Sequence, residues 1–226
     1  MIIGGLQKLT LLDYPSKVAC TVFTAGCNYR CPFCHNALLV EEVKPVYSES
    51  EILSFLKKRT GVLDGVCITG GEPLMQSGIE SFMSEIKSLG YSVKLDTNGS
   101  FPEKLRSVAE NGLVDYVAMD IKNSPQKYAF TAGVNADISK IKESVNFLKG
   151  GKTDYEFRTT VVENHHDESS MEDIGEWLSG AKKYFLQNFV DSGNLIGNAR
   201  GVGEDKMREF LSIVKKFVPS AELRGL

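Results

Sequence analysis

Three cysteines lie within eight residues of this chain: Cys27, Cys31 and Cys34, with the spacing C-x3-C-x2-C. Thiolates are soft ligands that suit iron–sulfur clusters, zinc or copper(I). A closed zinc site needs four ligands and usually combines two C-x2-C pairs, whereas this group has three thiols. The spacing therefore favours a [4Fe–4S] cluster in which cysteines bind three irons and the fourth iron is open to a substrate or cofactor. A zinc site completed by His35, or half of a ferredoxin-type site, would also use these thiols.

The cysteines follow a segment that predicts a buried strand. Residues 18–24 are apolar and rich in β-branched side chains, and Ala25-Gly26 then interrupts the pattern. The thiols are thus expected on a loop at the carboxyl end of a strand, where α/β proteins usually place their chemistry. Cys20 and Cys67 lie within apolar runs, so we interpret them as core residues and not as a fourth ligand.

The cysteine group, with the aromatic Phe33 before its last member, resembles the signature of the radical S-adenosylmethionine (SAM) enzymes. The resemblance implies that SAM binds the open iron through its amino and carboxylate groups. It also implies that one electron from the reduced cluster cleaves the sulfonium, giving methionine and a 5′-deoxyadenosyl radical that abstracts a hydrogen atom. The electron would come from an external reductant such as flavodoxin or ferredoxin.

Composition limits the other classes of function. The 226 residues suffice for one large domain or two small ones, and the net charge of -3 gives no basic face for nucleic acid. No apolar run approaches the roughly 20 residues of a membrane span, and the first residues do not resemble a signal peptide. Five cysteines, three of them clustered, do not suggest a disulfide framework. We therefore expect a cytoplasmic protein without membrane or nucleic-acid partners.

Six predicted strands alternate with predicted helices, which indicates a parallel sheet with right-handed crossovers. Six units are two short of a closed eight-stranded barrel, so we predict a partial (β/α)6 barrel, as the family resemblance also implies. A doubly wound sheet is the alternative. We predict a single domain over residues 1–226, with a leader at 1–17, a core at about 18–190 and a C-terminal helix at about 204–217. The predicted strands are 18–24, 65–69, 91–96, 116–120, 155–162 and 184–189. The pairs Ser48 with Glu51 and Ser169 with Glu172 predict the capped starts of two of the helices.

Gly70-Gly71-Glu72-Pro73 follows the second predicted strand. Two glycines allow a ligand to approach the backbone closely. The segment resembles the GGEP motif of radical SAM enzymes, which implies that it holds the amino end of the SAM methionine. A plain strand-ending turn is the alternative, but the position one strand after the cysteine loop favours a functional role.

Acidic segments follow the next two predicted strands, namely Asp96-Thr97-Asn98-Gly99 and Asp120-Ile121-Lys122. The alternative for each is an Asx-type turn or a solvated charge. Both segments resemble motifs of the glycyl-radical-activating branch, where they help to bind SAM. The resemblance implies that the acids and nearby backbone also hold a monovalent cation near the SAM carboxylate, since hard oxygen ligands suit such an ion.

Single residues complete the predicted site. Arg158 lies in an apolar strand, where an unpaired charge is costly; it either pairs with a carboxylate or, as the resemblance implies, contacts SAM. The resemblance places Phe33 against adenine, and His35-Asn36 matches an extension found in activating enzymes. His165-His166 is interpreted as a solvated loop.

Two segments, Leu11-Leu12-Asp13-Tyr14-Pro15 and Phe23-Thr24-Ala25-Gly26-Cys27, resemble those of the activating proteins of anaerobic ribonucleoside-triphosphate reductase. The resemblance covers the chain from Leu12 to about Phe189. The implied reaction removes an α-hydrogen from a glycine of that partner and leaves a glycyl radical. Pyruvate formate-lyase activating enzymes carry a histidine where this chain has Gln187-Asn188-Phe189, so identity with them is not expected. The alternatives are activation of another glycyl radical enzyme, a small-molecule reaction such as that of 7-carboxy-7-deazaguanine synthase, an iron–sulfur electron carrier, or a zinc-binding module.

Overall fold

The computed structural model describes residues 1–41, 44–191, 193 and 195–225. In that part of the chain eight strands form one sheet, in which their order follows the chain. The strands are β1 (Ile3–Thr10), β2 (Ala19–Thr24), β3 (Gly65–Gly70), β4 (Ser92–Thr97), β5 (Tyr116–Asp120), β6 (Asp154–Val161), β7 (Tyr184–Asn188) and β8 (Ala221–Arg224). β1 runs antiparallel to β2, whereas β2–β3, β3–β4, β6–β7 and β7–β8 are parallel pairs.

Helices occupy most of the connections between parallel strands. They are α1 (Ala37–Glu41), α2 (Glu49–Lys57), α3 (Ile79–Ser88), α4 (Pro102–Glu110), α5 (Tyr128–Ala132), α6 (Ile138–Gly150), α7 (Glu168–Leu178) and α8 (Glu204–Lys215). The predicted capping box of Ser48 and Glu51 is present at the start of α2. The predicted cap of α7 at Ser169 is wrong, because Asp167 is the N-cap and accepts a hydrogen bond from the Ser170 N–H.

The strand order decides between the two predicted architectures. A doubly wound sheet reverses its strand order at a switch point, whereas this sheet keeps chain order throughout. Sequential order is that of a barrel-type sheet in which each crossover leads to the next strand. The six predicted strands are β2 to β7, so the predicted α/β class is confirmed.

Two strands, β1 and β8, were not predicted from the sequence. β1 replaces the predicted leader; it contains Gly4 and Gly5, which weaken the alternating pattern of a strand. A Cβ atom on Gly4 would lie 2.4 Å from Cδ2 of Leu39, so close packing requires a glycine there. β8 is only four residues long, and it was missed because it comes directly after the last predicted helix.

The chain divides into two units that share β5. Unit 1 comprises Met1–Asn28, Leu38–Thr97 and Phe101–Ala118, and unit 2 comprises Tyr29–Ala37, Asn98–Ser100 and Met119–Leu226. Each unit has its own core of strand residues and apolar helix faces. Fully buried helix residues in unit 1 include Ile52, Leu56, Phe82, Met83, Ile86, Leu105 and Val108, and those in unit 2 include Ile141, Val145, Met171, Ile174, Met207 and Phe210.

Candidate functional site

Backbone hydrogen bonds in unit 1 fix the base of the cysteine loop. The Gly26 N–H donates to the Leu39 carbonyl over 2.7 Å, and the Glu72 N–H donates to the Gly26 carbonyl over 2.9 Å. Gly26 has a positive φ of 94°, a conformation that favours glycine. Cys27, the first predicted cluster ligand, therefore follows a backbone segment that is held from both sides.

Gly70 and Gly71 pack against this same base. A Cβ atom on Gly71 would lie 2.0 Å from the carbonyl oxygen of Gly26, and one on Gly70 would lie 2.4 Å from that of Thr24. Packing of backbone on backbone thus requires both glycines, a reason that the sequence analysis did not anticipate. The contact of this segment with the amino end of SAM stays a prediction.

Glu72 and Thr97 form a buried polar contact between the ends of β3 and β4. The Glu72 carboxylate is fully buried, and its Oε1 accepts hydrogen bonds from the Thr97 hydroxyl over 2.8 Å and from the Leu74 N–H over 3.0 Å. Glu72 thereby caps the short 3-10 turn that begins at the buried Pro73. Both side chains were predicted to bind SAM; within unit 1 they bind each other, and a role toward SAM stays a prediction.

Asp96 is paired with a lysine that the sequence analysis overlooked. The ammonium group of Lys94 donates a hydrogen bond to Asp96 Oδ1 and lies 3.8 Å from Sγ of Cys67. The side chain of Lys94 is 3% exposed and that of Asp96 is 16% exposed. Residues two apart share one face of a strand, so a lysine two positions before Asp96 in an apolar strand was the available signal.

Cys31 and Cys34 lie in one tight turn of unit 2. The Cys34 N–H donates to the Cys31 carbonyl over 3.1 Å. Burial raises the pKa of the Cys31 thiol, and the Lys122 ammonium acts in the opposite direction. Iron binds the thiolate form, which a nearby cation favours. Two thiols beside a lysine charge are thus a donor set that fits an iron–sulfur cluster.

The assignment of all three cysteines to one cluster rests on their spacing and on the family. Within the described residues, no three cysteine, histidine, aspartate or glutamate side chains converge as possible metal ligands. Cys20 and Cys67 are fully buried, and burial raises the pKa of Cys20 to about 12. Their interpretation as core residues is confirmed.

Asp120 is the centre of an ion-pair network in unit 2. Arg158 Nε donates to Asp120 Oδ1 over 3.0 Å, and Lys122 Nζ donates to Oδ2 over 3.1 Å. Burial acts to raise the pKa of Asp120, but the charges of Arg158 and Lys122 outweigh it and lower the pKa to about 2. Asp120 is therefore a carboxylate at neutral pH. The predicted pairing of Arg158 with a carboxylate is thus confirmed, and its contact with SAM stays a prediction.

Lys122 links this network to the cysteine turn. Burial acts to lower its pKa, but the charges of Asp120, Cys31 and Cys34 raise it above its ordinary value. Lys122 thus stays an ammonium group within the field of two predicted cluster ligands. Lys122 was predicted to lie in the site, but its position beside the thiols was not predicted.

Phe33 lies in a group of aromatic rings. Its ring centroid is 5.9 Å from that of His165 and 6.4 Å from that of Phe189, both in edge-to-face geometry. His35 stacks on Phe189 with the centroids 5.1 Å apart. Phe33 is buried among these rings, which gives it a packing role, while its contact with adenine stays a prediction.

Asn98 forms the Asx-type turn that was the alternative interpretation of its segment. Its Oδ1 accepts a hydrogen bond from the Ser100 N–H over 3.0 Å, and the residue is buried. The turn stabilises the chain directly after β4. SAM binding by Asn98 stays a prediction.

The interpretation of His165-His166 as a solvated loop is wrong. The Nε2–H of His166 donates to the Lys122 carbonyl over 2.9 Å, and its Nδ1 accepts from the Val162 N–H over 3.1 Å. Burial lowers the pKa of His166 to about 4, so this neutral imidazole fixes the backbone at Lys122. His165 is half-buried, and its ring stacks on Phe130 with the centroids 4.6 Å apart.

A cavity of about 760 Å³ lies in unit 2 beside these rings. Its walls come from the segments after β6 and β7 and include Glu163, His165, Phe189 and Arg200. The two segments are joined by a hydrogen bond of 2.8 Å from the Glu163 N–H to the Arg200 carbonyl. The cavity was not predictable from the sequence, because its walls come from irregular segments.

The sequence profile of the Radical SAM superfamily matches residues 21–178. The chain belongs to this superfamily. It is therefore an enzyme whose domain implies a [4Fe–4S] cluster and SAM. Among the described residues, no helix has the length and apolar character that crossing a membrane requires.

Two sequence relatives and one solved structure are similar to this chain. A Methanocaldococcus jannaschii protein named "Putative glycyl-radical enzyme activating enzyme" is 31% identical over 236 residues, covering 100% of this chain and 96% of the relative. A 7-carboxy-7-deazaguanine synthase of Thermococcus kodakarensis is 30% identical over 152 residues, covering 57% of this chain and 58% of that protein. Among solved structures, SuiB of Streptococcus suis bound to S-adenosylmethionine has a TM-score of 0.72 at 11% identity, covering 89% of this chain and 49% of that one. This chain thus spans about half of SuiB, and the likeness shows the fold alone.

Proposed function

We propose that this protein is an activating enzyme that installs a glycyl radical on a partner enzyme. The observation that carries the proposal is the 31% identity along the whole chain to an M. jannaschii protein whose name states that activity. The relative and this chain have nearly the same extent, so the likeness is not confined to the part that binds SAM.

Each group of predicted site residues has a separate role in the proposed reaction. Cys27, Cys31 and Cys34 would hold the [4Fe–4S] cluster, which together with SAM supplies the 5′-deoxyadenosyl radical. The Gly70-Gly71 backbone holds the base of the cysteine loop through Gly26. In unit 2, the Lys122 ammonium acts to lower the pKa of the Cys31 thiol and so favours the thiolate form that binds iron.

We assign the substrate segment of the partner to the unit 2 cavity. The cavity adjoins the ring group of Phe33 and His165 within the cysteine turn's own unit. Phe130, whose ring stacks on His165 of the cavity wall, is 64% exposed, and Val190, which follows Phe189 of that wall, is 66% exposed. A macromolecule that covered these side chains would remove their apolar surface from water, whereas a small-molecule site buries most of its ligand. A peptide segment of the partner would place its reactive glycine in the cavity and cover the exposed side chains of Phe130 and Val190.

The preferred partner is anaerobic ribonucleoside-triphosphate reductase, with flavodoxin or ferredoxin as the electron donor. Support comes from two segments that resemble those of the activating proteins of this reductase. They are Leu11-Leu12-Asp13-Tyr14-Pro15 and Phe23-Thr24-Ala25-Gly26-Cys27. We place the reaction in the cytoplasm, since free thiols and an oxygen-sensitive cluster suit a reducing compartment.

A second candidate is a small-molecule reaction of the 7-carboxy-7-deazaguanine synthase type. The 30% identity to the T. kodakarensis enzyme favours it, but that likeness covers 57% of this chain. The cavity of about 760 Å³ lies within the range that holds a small ligand.

Electron paramagnetic resonance distinguishes the two. The reconstituted, reduced protein is incubated with SAM and the anaerobic reductase of the same organism, and a doublet from one α-hydrogen is expected. The doublet should collapse when the partner's glycine is deuterated and be absent with a Cys31→Ser variant. SAM cleavage without any protein radical, together with consumption of a deazapurine precursor, would replace the activating function by the second candidate.

A further inference from the structure

The two acids that the family resemblance assigns to a monovalent cation already have cationic partners in the chain. In unit 1, Asp96 is paired with the ammonium group of Lys94. In unit 2, Asp120 receives both Arg158 and Lys122, at 3.0 Å and 3.1 Å. The charge of each carboxylate is thus already compensated by a cationic side chain, which weakens its attraction for a metal cation.

Lys94 is a buried strand residue of unit 1 and not a surface residue with an incidental acidic neighbour. It lies on the strand β4, in register with Cys67 of the neighbouring strand β3. The residue is 2% exposed, so its ammonium group has left water and depends on the Asp96 carboxylate for compensation. Residues 94 and 96 point to the same face of the strand, which directs the ammonium to the strand end where Asp96 lies.

We propose that the ammonium group of Lys94 takes the place of the monovalent cation beside Asp96, so that SAM binding by this protein does not require Na⁺ or K⁺. A metal ion at Asp96 would meet a like charge in a site with little water, and this repulsion disfavours its binding. The fixed lysine supplies positive charge at the strand end without an ion from solution. The inference rests on the proposed function, because the cation is expected only for the activating branch.

The first experiment uses the protein without its cluster, so it does not depend on catalysis. The midpoint temperature of unfolding is measured in NaCl, KCl and choline chloride at equal ionic strength. The wild-type midpoint should be the same in all three salts. Lys94→Met removes the ammonium group that compensates the charge of Asp96, so its midpoint should fall by several degrees in choline and recover with added Na⁺ or K⁺ in a saturable manner.

Two further variants isolate the charge of Lys94. Lys94→Arg keeps a cation at the position and should stay insensitive to the choice of salt, which distinguishes lost charge from lost packing. Lys87→Met removes a lysine of the same unit that pairs with Asp115 at the surface, and it should show no response to Na⁺ or K⁺ beyond that of wild type.

The second experiment measures SAM binding to the reconstituted protein by anaerobic equilibrium dialysis in the same salts. Replacing Na⁺ and K⁺ by choline should change the wild-type affinity by less than about twofold, and should weaken that of Lys94→Met by about tenfold or more. A wild-type affinity that falls about tenfold in choline would overturn the inference, as would a Lys94→Met protein indifferent to salt in both experiments. Failure to form a glycyl radical with any partner would refute the proposed function but leave both measurements interpretable.

Discussion

Gly71 packs directly against the carbonyl group of Gly26, at the base of the loop that begins with Cys27. A Cβ atom at residue 71 would lie 2.0 Å from that oxygen, and the neighbouring Glu72 N–H donates to the same carbonyl over 2.9 Å. The glycine pair after β3 thus sets the path by which the chain enters the cysteine loop. A motif that family resemblance connects with SAM has a structural function in the cluster loop as well.

The Gly71→Ala variant should therefore lose both stability and cluster binding. The overlap with backbone cannot be relieved by a side-chain rotation, so we expect unfolding to become easier by about 3 kcal/mol and the iron content after reconstitution to fall. Chemical denaturation and iron analysis provide the measurements. Gly150→Ala is the matched control, because nothing lies within 4 Å of a Cβ atom there. Full iron content with weakened SAM binding alone would mean that Gly71 serves the ligand and not the loop.

Each of the substitutions Cys27→Ser, Cys31→Ser and Cys34→Ser should abolish the [4Fe–4S] cluster, since three thiolates hold three irons and none is replaceable by a neighbour. Iron and sulfide content and the visible absorbance of the reconstituted proteins are the readouts. Cys20→Ala should reconstitute normally, because Cys20 is fully buried in the core. A cluster that survives any one of the three serine substitutions, or is lost with Cys20→Ala, would contradict the ligand assignment.

The sequence predicted most of the elements because their signals are local. Apolar strands and capping boxes such as Ser48 with Glu51 are read from neighbouring residues. The pairing of Lys94 with Asp96 was in principle readable from their spacing, but the burial of Lys94 was not. The place of His166 depends on Lys122 and Val162, two segments that only the tertiary fold brings together. Long-range contacts of this kind carry no signal in a single sequence.

His166 should make the stability depend on pH between about 6.5 and 4. Its folded-state pKa of about 4 lies below the unfolded value of 6.5, so the unfolded state binds more protons in this range. The contribution of His166 to the free energy of unfolding is therefore fully present above pH 6.5. It decreases as the pH is lowered, by up to about 3 kcal/mol at pH 4. Denaturant titrations at a series of pH values measure the slope.

His166→Gln isolates this contribution, because burial also lowers the pKa values of His35 and His165. The variant should be less stable at pH 7 and should show a shallower loss of stability toward pH 4. Asp120 does not interfere, since a pKa of about 2 keeps it charged throughout the range. An unchanged slope in the variant would show that His166 is not a buried neutral imidazole in solution.

Phe130 should contribute to recognition of the protein substrate. Its ring is 64% exposed, yet it stacks on His165 of the cavity wall at 4.6 Å. Aromatic residues positioned in this way are frequent centres of binding energy, and burying the ring under a partner segment would remove apolar surface from water. We expect Phe130→Ala to raise the KM for the partner enzyme about tenfold, measured by the initial rate of glycyl radical formation.

The cleavage of SAM in the absence of a partner separates recognition from chemistry. Phe130→Ala should leave this uncoupled rate unchanged, because the Phe130 ring stacks on His165, which belongs to neither the cysteine turn nor the Asp120 network. Val62→Ala is the control for an exposed apolar residue, since Val62 is 59% exposed and lies in unit 1; it should affect neither rate. If Phe130→Ala leaves the KM for the partner unchanged, the partner segment does not bind at this cavity. If it slows uncoupled cleavage to the same degree, Phe130 supports the fold of the site and not the docking of a substrate.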